Sequence, residues 1–241
     1  MDIKIDDELR LLKGSSFFVD GIEIKPFTIG EIVEIGYEKY QQIMNIFALE
    51  VEDIIKDIPE ELNSITIFDL FLKSGSQELF EGFIGAIGLF LRIENTNEFS
   101  IDGEFNVVVN KLKIINKDNW SNICNIIQMQ NCVEREKEKE DYNPANEEAR
   151  KIIEKIKALK RENPIKESVT LSSMISGIAN KSNNLNILNI WDLTIYQLYD
   201  ALNRLNLIDN YQFTLNGIYA GTVNGKEINM KDLNWMKTLK T

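Results

Sequence analysis

Asp20-Gly21 and Asp102-Gly103 each stand between two short runs of apolar residues, FFV and IEI around the first, FSI and EFNVVV around the second. An Asp-Gly pair supplies the positive backbone φ that tight hairpin turns demand, so this pattern is a strong short-range signal for antiparallel strands. Along most of the remaining chain the apolar residues recur at steps of three and four, the spacing of one helix face. These two patterns together confine the chain to a mainly α fold of the α+β kind. The expected architecture is a multi-helix domain with two or three small β-hairpins, the third at Asn224-Gly225 in TVNGKEI.

Helix starts are marked by capping residues. Pro26 ends the second strand, and Thr28 with Glu31 forms a T-x-x-E capping box ahead of Ile32, Ile35, Ile43, Ile46 and Phe47. This pattern runs to about Leu49, with Gly36 interrupting it at some cost to helix propensity. VEDIIKDIPEEL reads as a short acidic helix, and Ser64 or Thr66 is placed to cap ITIFDLFLKS. The next helix, Ser76 to Leu91, carries Gly82, Gly85 and Gly88 on one face, a smooth stripe that reads as tight packing against another helix. Asp118 is the expected cap of DNWSNICNIIQMQN, whose apolar face takes Trp120, Ile123, Cys124, Ile127 and Met129.

Beyond Glu134 charge dominates, and DYNPANEEARKIIEKIKALK predicts a helix starting near Pro144 with a narrow stripe of Ile152, Ile153, Ile156 and Leu159. A solvated charged face with a docking edge is its default reading. The organisation that follows is an N-terminal α+β part over 1–132, a charged helical connector over 133–163 and a C-terminal helical part over 164–241, a division also compatible with one continuous domain. In the last part a helix begins near Thr170, KSNNLNILN is a loop, and Asp192 or Thr194 caps the next helix. Ile195, Leu198, Tyr199, Leu202 and Leu205 form its core stripe. After Asp209-Asn210 a separate helix is expected through YQFTLNGIYAG, and MKDLNWMKTLK reads as a short amphipathic helix.

Function is constrained mainly by what the residues exclude. The 241 residues carry a formal net charge of -11, which argues against binding a phosphate backbone, because such affinity rests on Lys and Arg displacing counterions. There is no histidine, so Ser-His and Cys-His nucleophilic systems are excluded. Cys124 and Cys132 have no second pair to complete a zinc site and read as reduced thiols. No phosphate-loop pattern follows a strand, and the adjacent acids Asp6-Asp7, Glu60-Glu61 and Glu147-Glu148 read as solvated. No catalytic residue, cofactor or metal ligand is therefore assigned, and the chain is not expected to be an enzyme. The N-terminal MDIKIDDELRLLKG reads as no signal peptide, and the apolar run Leu79 to Leu91 is too short to span a bilayer.

The C-terminal part is rich in aromatic residues that carry a polar edge, the kind enriched at protein interfaces. Tyr199 lies inside the core stripe of its helix. Tyr196 lies off that stripe beside Asp200, and the candidate protein-contact residues are Trp191, Tyr196, Asp200, Tyr211 and Trp235.

IWDLTIYQLYDALNRLN, followed by GIYAGTVNG and DLNWMKTL, resembles the end of tail-morphogenesis proteins of phages and prophages of low-GC Gram-positive hosts. IKPFTIGEIVEIGYEKY is similar to the P-T-x-x-E-I-x-x-I-G opening of such proteins, with Phe27 here between Pro26 and Thr28, and DYNPANEEARKIIEKI is similar to a charged helix in them. The resemblance implies a tail assembly chaperone that coats the helical, aggregation-prone tape-measure protein in the host cytoplasm. It also leaves a structural virion component of the neck, tail or baseplate as an alternative, since the chain is longer than many such chaperones. From the acidic charge comes a third reading, an inhibitor of a host defence or nucleic-acid-binding protein. The expected partners are tape-measure or other tail proteins, with no direct nucleic-acid binding, no membrane, and an oligomer open.

Overall fold

The computed structural model describes residues 4–55, 65–93, 99–133 and 169–239. The expected helix at Pro144, most of the charged connector and the later part of VEDIIKDIPEEL lie outside these residues. Among the described residues the chain is mainly helical with two small antiparallel sheets. The elements in order are α1 (Ile5–Lys13), β1 (Phe17–Val19), β2 (Ile22–Ile24), α2 (Ile29–Ile35), α3 (Tyr37–Ala48), α4 (Val51–Ile54), α5 (Ile67–Lys73) and α6 (Gln77–Phe90). There follow β3 (Phe99–Ile101), β4 (Val107–Val109), β5 (Lys113–Ile115), α7 (Lys117–Gln130), α8 (Leu171–Lys181) and the long α9 (Ile195–Tyr219).

Asp20-Gly21 turns the first hairpin as the residues predict, with φ of 48° and 78° and Phe17 opposite Ile24. The second sheet is larger than the expected hairpin. Asp102 holds a five-residue loop together rather than a tight turn, its carboxylate accepting hydrogen bonds from the amides of Glu104 and Asn106 and from Asn106 Nδ2, each at 2.9 Å. These donors hold Asp102 below the usual carboxylate range. A third strand, β5, then returns through Asn110-Lys111, both at positive φ (52° and 61°), with the Leu112 amide donating to the Val109 carbonyl at 3.2 Å. The hairpin expected at Asn224-Gly225 is instead a short 3-10 turn over Gly225–Glu227, because the Asn224 side chain accepts from the Lys226 amide and tightens the backbone there.

Most helix starts follow the capping chemistry. Thr28 and Glu31 make both bonds of the capping box, at 2.8 and 3.2 Å, and Thr66, Thr170 and Thr194 cap α5, α8 and α9. The cap of α7 is Asn116 rather than Asp118. Its Oδ1 accepts from the amides of Asp118 and Asn119 at 3.0 Å, while Asp118 stands in the first turn where its charge faces the positive helix end. Gly36, at φ 93°, divides the helix expected up to Leu49 into α2 and α3. Two further expectations fail at the C-terminus. Asp209-Asn210 does not end a helix, because Asp and Asn cost well under about 1 kcal/mol each inside one, and α9 runs on to Tyr219 with Asp209 paired to Lys181 of α8. Over residues 230–239 the segment expected as a short helix forms turns, with the side chains of Asn229 and Asn234 accepting from nearby amides and diverting the backbone.

The core is aromatic. Phe71 stacks on Phe83 with centroids 4.7 Å apart, Phe47 meets Phe90 edge-on at 4.7 Å, and Trp120 of α7 packs against Phe47, Phe68, Phe71 and Phe83. Ile22 and Ile24 of the hairpin, Ile123 and Ile127 of α7, Ile178 of α8, and Ile195 and Leu198 of α9 belong to the same buried cluster. Each such side chain stabilises the fold by about 1.5–3 kcal/mol relative to exposure. Gln128 donates to the Phe47 carbonyl at 2.6 Å, tying α7 to the end of α3. The starts of α2 and α9 are joined by the Ile29 amide, which donates to the Leu193 carbonyl at 2.7 Å. No helix among the described residues is long and apolar enough to cross a membrane.

Candidate functional site

An apolar groove of about 1270 Å³ opens between α2–α3 and α6. One wall is a single face of α2–α3, where Ile35, Ile43, Ile46 and Leu49 follow one another down the helices. The opposite wall is α6, with Leu79, Ile84 and Leu89 around Gly82, Gly85 and Gly88, and Phe99 of β3 stands at one end. Ordinary small-molecule pockets occupy about 300–1,000 Å³, so this groove has room for more than a small ligand.

Among the described residues the glycine stripe is not tightly covered along its length by another helix, as its spacing suggests it would be. α3 reaches only one end of it, where a Cβ on Gly82 would lie 3.4 Å from Ile46 Cδ1, and the Phe99 ring lies 3.8 Å from the corresponding point on Gly88. Among the described residues a Cβ built on Gly85 would meet nothing within 4 Å. The middle of the stripe is thus a hollow in the groove wall.

Charge lies along the rim. Glu31 and Glu34 come from α2, Lys39 from α3, Glu78 and Glu81 from α6, and Arg92 follows α6. Arg92 is committed to Glu31, with Nη1–Oε1 at 2.6 Å and Nη2–Oε2 at 3.0 Å, and its guanidinium lies 4.5 Å from the centre of the Phe27 ring. The hydrogen bond from Arg92 is the largest cause that holds the Glu31 carboxyl down to about 2. With this pair neutral, three glutamates face one lysine among the described residues of the rim. Glu81 accepts a hydrogen bond from Gln77 at 2.7 Å, which leaves its charge in place. The arrangement therefore offers burial for apolar groups beneath a negative margin. Among the described residues no group of three or more Cys, Asp or Glu side chains comes together to hold a metal ion.

The residues singled out from the C-terminal aromatics are not gathered into one site. Tyr196 is 4% exposed and packs with Leu11 of α1 and Phe17 of β1, which corrects its expected place on the outer face of its helix. The reason is that α9 meets α1, α7 and α8, and Ile126 and Met129 of α7 join Leu11 of α1 around Tyr196, so positions off the main stripe are also covered. Burial pushes the Tyr196 hydroxyl up to about 12. Trp191 is half-buried, its Nε1 donating to the Ile187 carbonyl at 2.6 Å, and its backbone crosses Gly30 so closely that a Cβ there would lie 3.2 Å from the Trp191 carbonyl oxygen. Asp200 is half-buried, and desolvation raises its pKa against the opposing influence of Arg204. Tyr211 is half-buried on the distal half of α9, and Trp235 is 37% exposed, its carbonyl accepting from Arg204 Nη1 at 2.6 Å. Past Leu198 no described residue is fully buried, and Phe213 and Tyr219 are largely exposed.

The groove residues were not selected from the sequence as a site. The signal present there was the repeat of glycine at every third position of α6, whose meaning depends on what lies opposite.

Residues 160–240 match the family model described as the YomV second domain. The matched span contains α8, α9 and the C-terminal turns, including Trp191, Tyr196, Asp200, Tyr211 and Trp235, and stands apart in sequence from the groove residues. No curated protein and no solved structure matches the chain.

Proposed function

We propose that this protein is a phage tail assembly protein of chaperone type, acting in the host cytoplasm by holding helical segments of a tape-measure protein before the tail is built. The observation that carries the reading is the acid-rimmed groove between α3 and α6. An assembly chaperone must cover apolar helix faces that would otherwise aggregate, and a groove with apolar walls does this by burial, while the net charge of -11 keeps the complex dispersed. No bond needs to be made or broken, so the reading requires no catalytic group. The phage setting is supported by the resemblance of three stretches of the sequence to tail-morphogenesis proteins. It is also supported by the match over residues 160–240, since YomV is a Bacillus prophage-region protein.

The test is co-expression with fragments of the tape-measure protein from the same phage genome. Fragments that are insoluble alone are expected in the soluble fraction and in one complex with this chain. Unchanged solubility for every fragment, or recovery of this chain at fixed copy number in mature tails, overturns the chaperone reading. The second outcome would favour a permanent virion component.

A further inference from the structure

We infer that the groove takes a short amphipathic helix carrying a large apolar side chain in the hollow at Gly85 and Lys or Arg along its flanks. This rests on the reading of the groove as a binding seat, but it concerns the ligand's chemistry rather than the phage setting.

The first argument concerns backbone. The long walls of the groove are helices, whose amides and carbonyls bond within their own turns, so an extended peptide laid between them would leave its own backbone groups without partners. A helix brings its backbone bonds with it and needs only side-chain complementarity. The walls set its length. α3 has 12 residues and α6 has 14, which at about 1.5 Å per residue gives a seat roughly 18–21 Å long, or three to four turns of a ligand helix.

The second argument concerns the hollow. A glycine inside a helix costs about 1 kcal/mol relative to alanine, and at Gly85 no neighbouring atom of the described chain requires the missing side chain. The room it leaves opens into the groove between Gly82 and Gly88. A bulky residue of the incoming helix fits there, with its neighbours one turn away resting on Ile43 and Ile46 of the facing wall.

The third argument concerns charge. Among the described lining residues, Glu34, Glu78 and Glu81 stand on the margin opposed by Lys39 once Arg92 pairs with Glu31, with Lys25 acting on Glu31 from outside the lining. Basic residues flanking the apolar face of the ligand complement this margin, whereas acidic flanks meet like charge. The occupant is a partner's helix; a second copy of this chain, whose residues 150–161 also join an apolar stripe to Lys and Arg, is the competing outcome of the test.

The experiment measures binding of two 18-residue helical peptides by fluorescence anisotropy, both with leucine at i, i+3, i+4 and i+7, one flanked by lysine and the other by glutamate. The lysine peptide is expected to bind at least tenfold more tightly. Gly85→Leu, which fills the hollow, is expected to weaken it at least tenfold with unchanged circular dichroism and a melting temperature at or above that of wild type. A rim variant, Glu34→Gln/Glu78→Gln/Glu81→Gln, is compared with a control of equal charge change away from the groove, Glu104→Gln/Asp118→Asn/Asp232→Asn. Only the rim variant is expected to reduce affinity and flatten its salt dependence.

Equal binding of the two peptides, full binding by Gly85→Leu, or equal losses in the two charge variants overturns the inference. So does a wild-type dimer that Gly85→Leu converts to monomer, which would make a second copy the occupant. Should Gly85→Leu fail to fold, the two charge variants still decide. Peptide binding without rescue of tape-measure fragments removes the chaperone reading alone, and rescue by Gly85→Leu as well as by wild type removes the groove as its seat.

Discussion

Arg92 grips Glu31 with two hydrogen bonds, at 2.6 and 3.0 Å, across 61 residues of sequence. The same guanidinium lies over Phe27, and its Nη2 is 3.5 Å from the Pro26 carbonyl. Glu31 meanwhile completes the capping box of α2, so one carboxylate starts a helix and anchors the end of α6 to it. The pair fixes one end of the groove and removes a positive charge from its rim.

Loss of this pair should be measurable despite partial exposure. Arg92→Met is expected to lower stability by about 1 kcal/mol at neutral pH, a small figure because solvent screens a pair that is about one-third exposed. The pH dependence follows from the direction of the Glu31 shift. Its folded-state pKa is lowered from 4.5 to about 2, so its contribution is present above about pH 4.5 and is lost as pH falls toward 2. Urea unfolding across that window should show a steeper decline in wild type than in Arg92→Met. Parallel declines would mean that the bond contributes little to folding.

Tyr196 is a core residue in this structure, and its truncation should behave accordingly. Tyr196→Ala removes a ring packed against Leu11 and Phe17 and is expected to cost about 3–4 kcal/mol. Tyr196→Phe keeps the ring and should retain most of the stability. A Tyr196→Ala protein that melts like wild type would place the ring outside the core.

Asp200 pulls the other way. Desolvation raises its folded-state pKa, so its ionised form is disfavoured by folding and lowers stability at any pH above that value. Asp200→Asn should therefore raise the melting temperature at pH 7, with the gain shrinking as the solution is acidified and both states of the wild type become protonated. A loss of stability at pH 7 would show that the attraction of Arg204 outweighs burial.

Much of the local structure was legible because the residues that dictate it act over a few positions. Asp20-Gly21 had to turn and Thr28 with Glu31 had to cap, and both follow from hydrogen bonds within four residues. What escaped reading was set across the fold. β5 returns through Asn110-Lys111, where no glycine advertises the positive φ, and α9 passes Asp209-Asn210, where Asp209 pairs with Lys181 from another helix. The stripe of Ile195, Leu198, Tyr199, Leu202 and Leu205 packs on the core as its periodicity requires, buried at the first two positions and half-buried beyond. Periodicity marks only the better covered side of α9, and α1 covers Tyr196 on another. The groove was least legible of all, since the same glycine spacing serves a tight helix contact or an open hollow according to where α3 happens to lie.

Arg204 gives the last prediction, about the segment beyond α9. Its Nη1 donates to the carbonyls of Trp235 at 2.6 Å and Lys237 at 3.0 Å, fastening the C-terminal turns to a helix more than 30 residues earlier. Among the described residues these turns contain none that is fully buried, so the bonds from Arg204 have little burial to reinforce them. Arg204→Ala is expected to speed cleavage by lysyl endopeptidase after Lys226 and Lys231 several-fold while changing the melting temperature little, because the aromatic core lies elsewhere. The Val223 amide donates to the Gly217 carbonyl at 3.1 Å and provides the competing anchor. Unchanged cleavage in Arg204→Ala would assign the fastening to that contact, and a large fall in melting temperature would make the turns part of the cooperative fold.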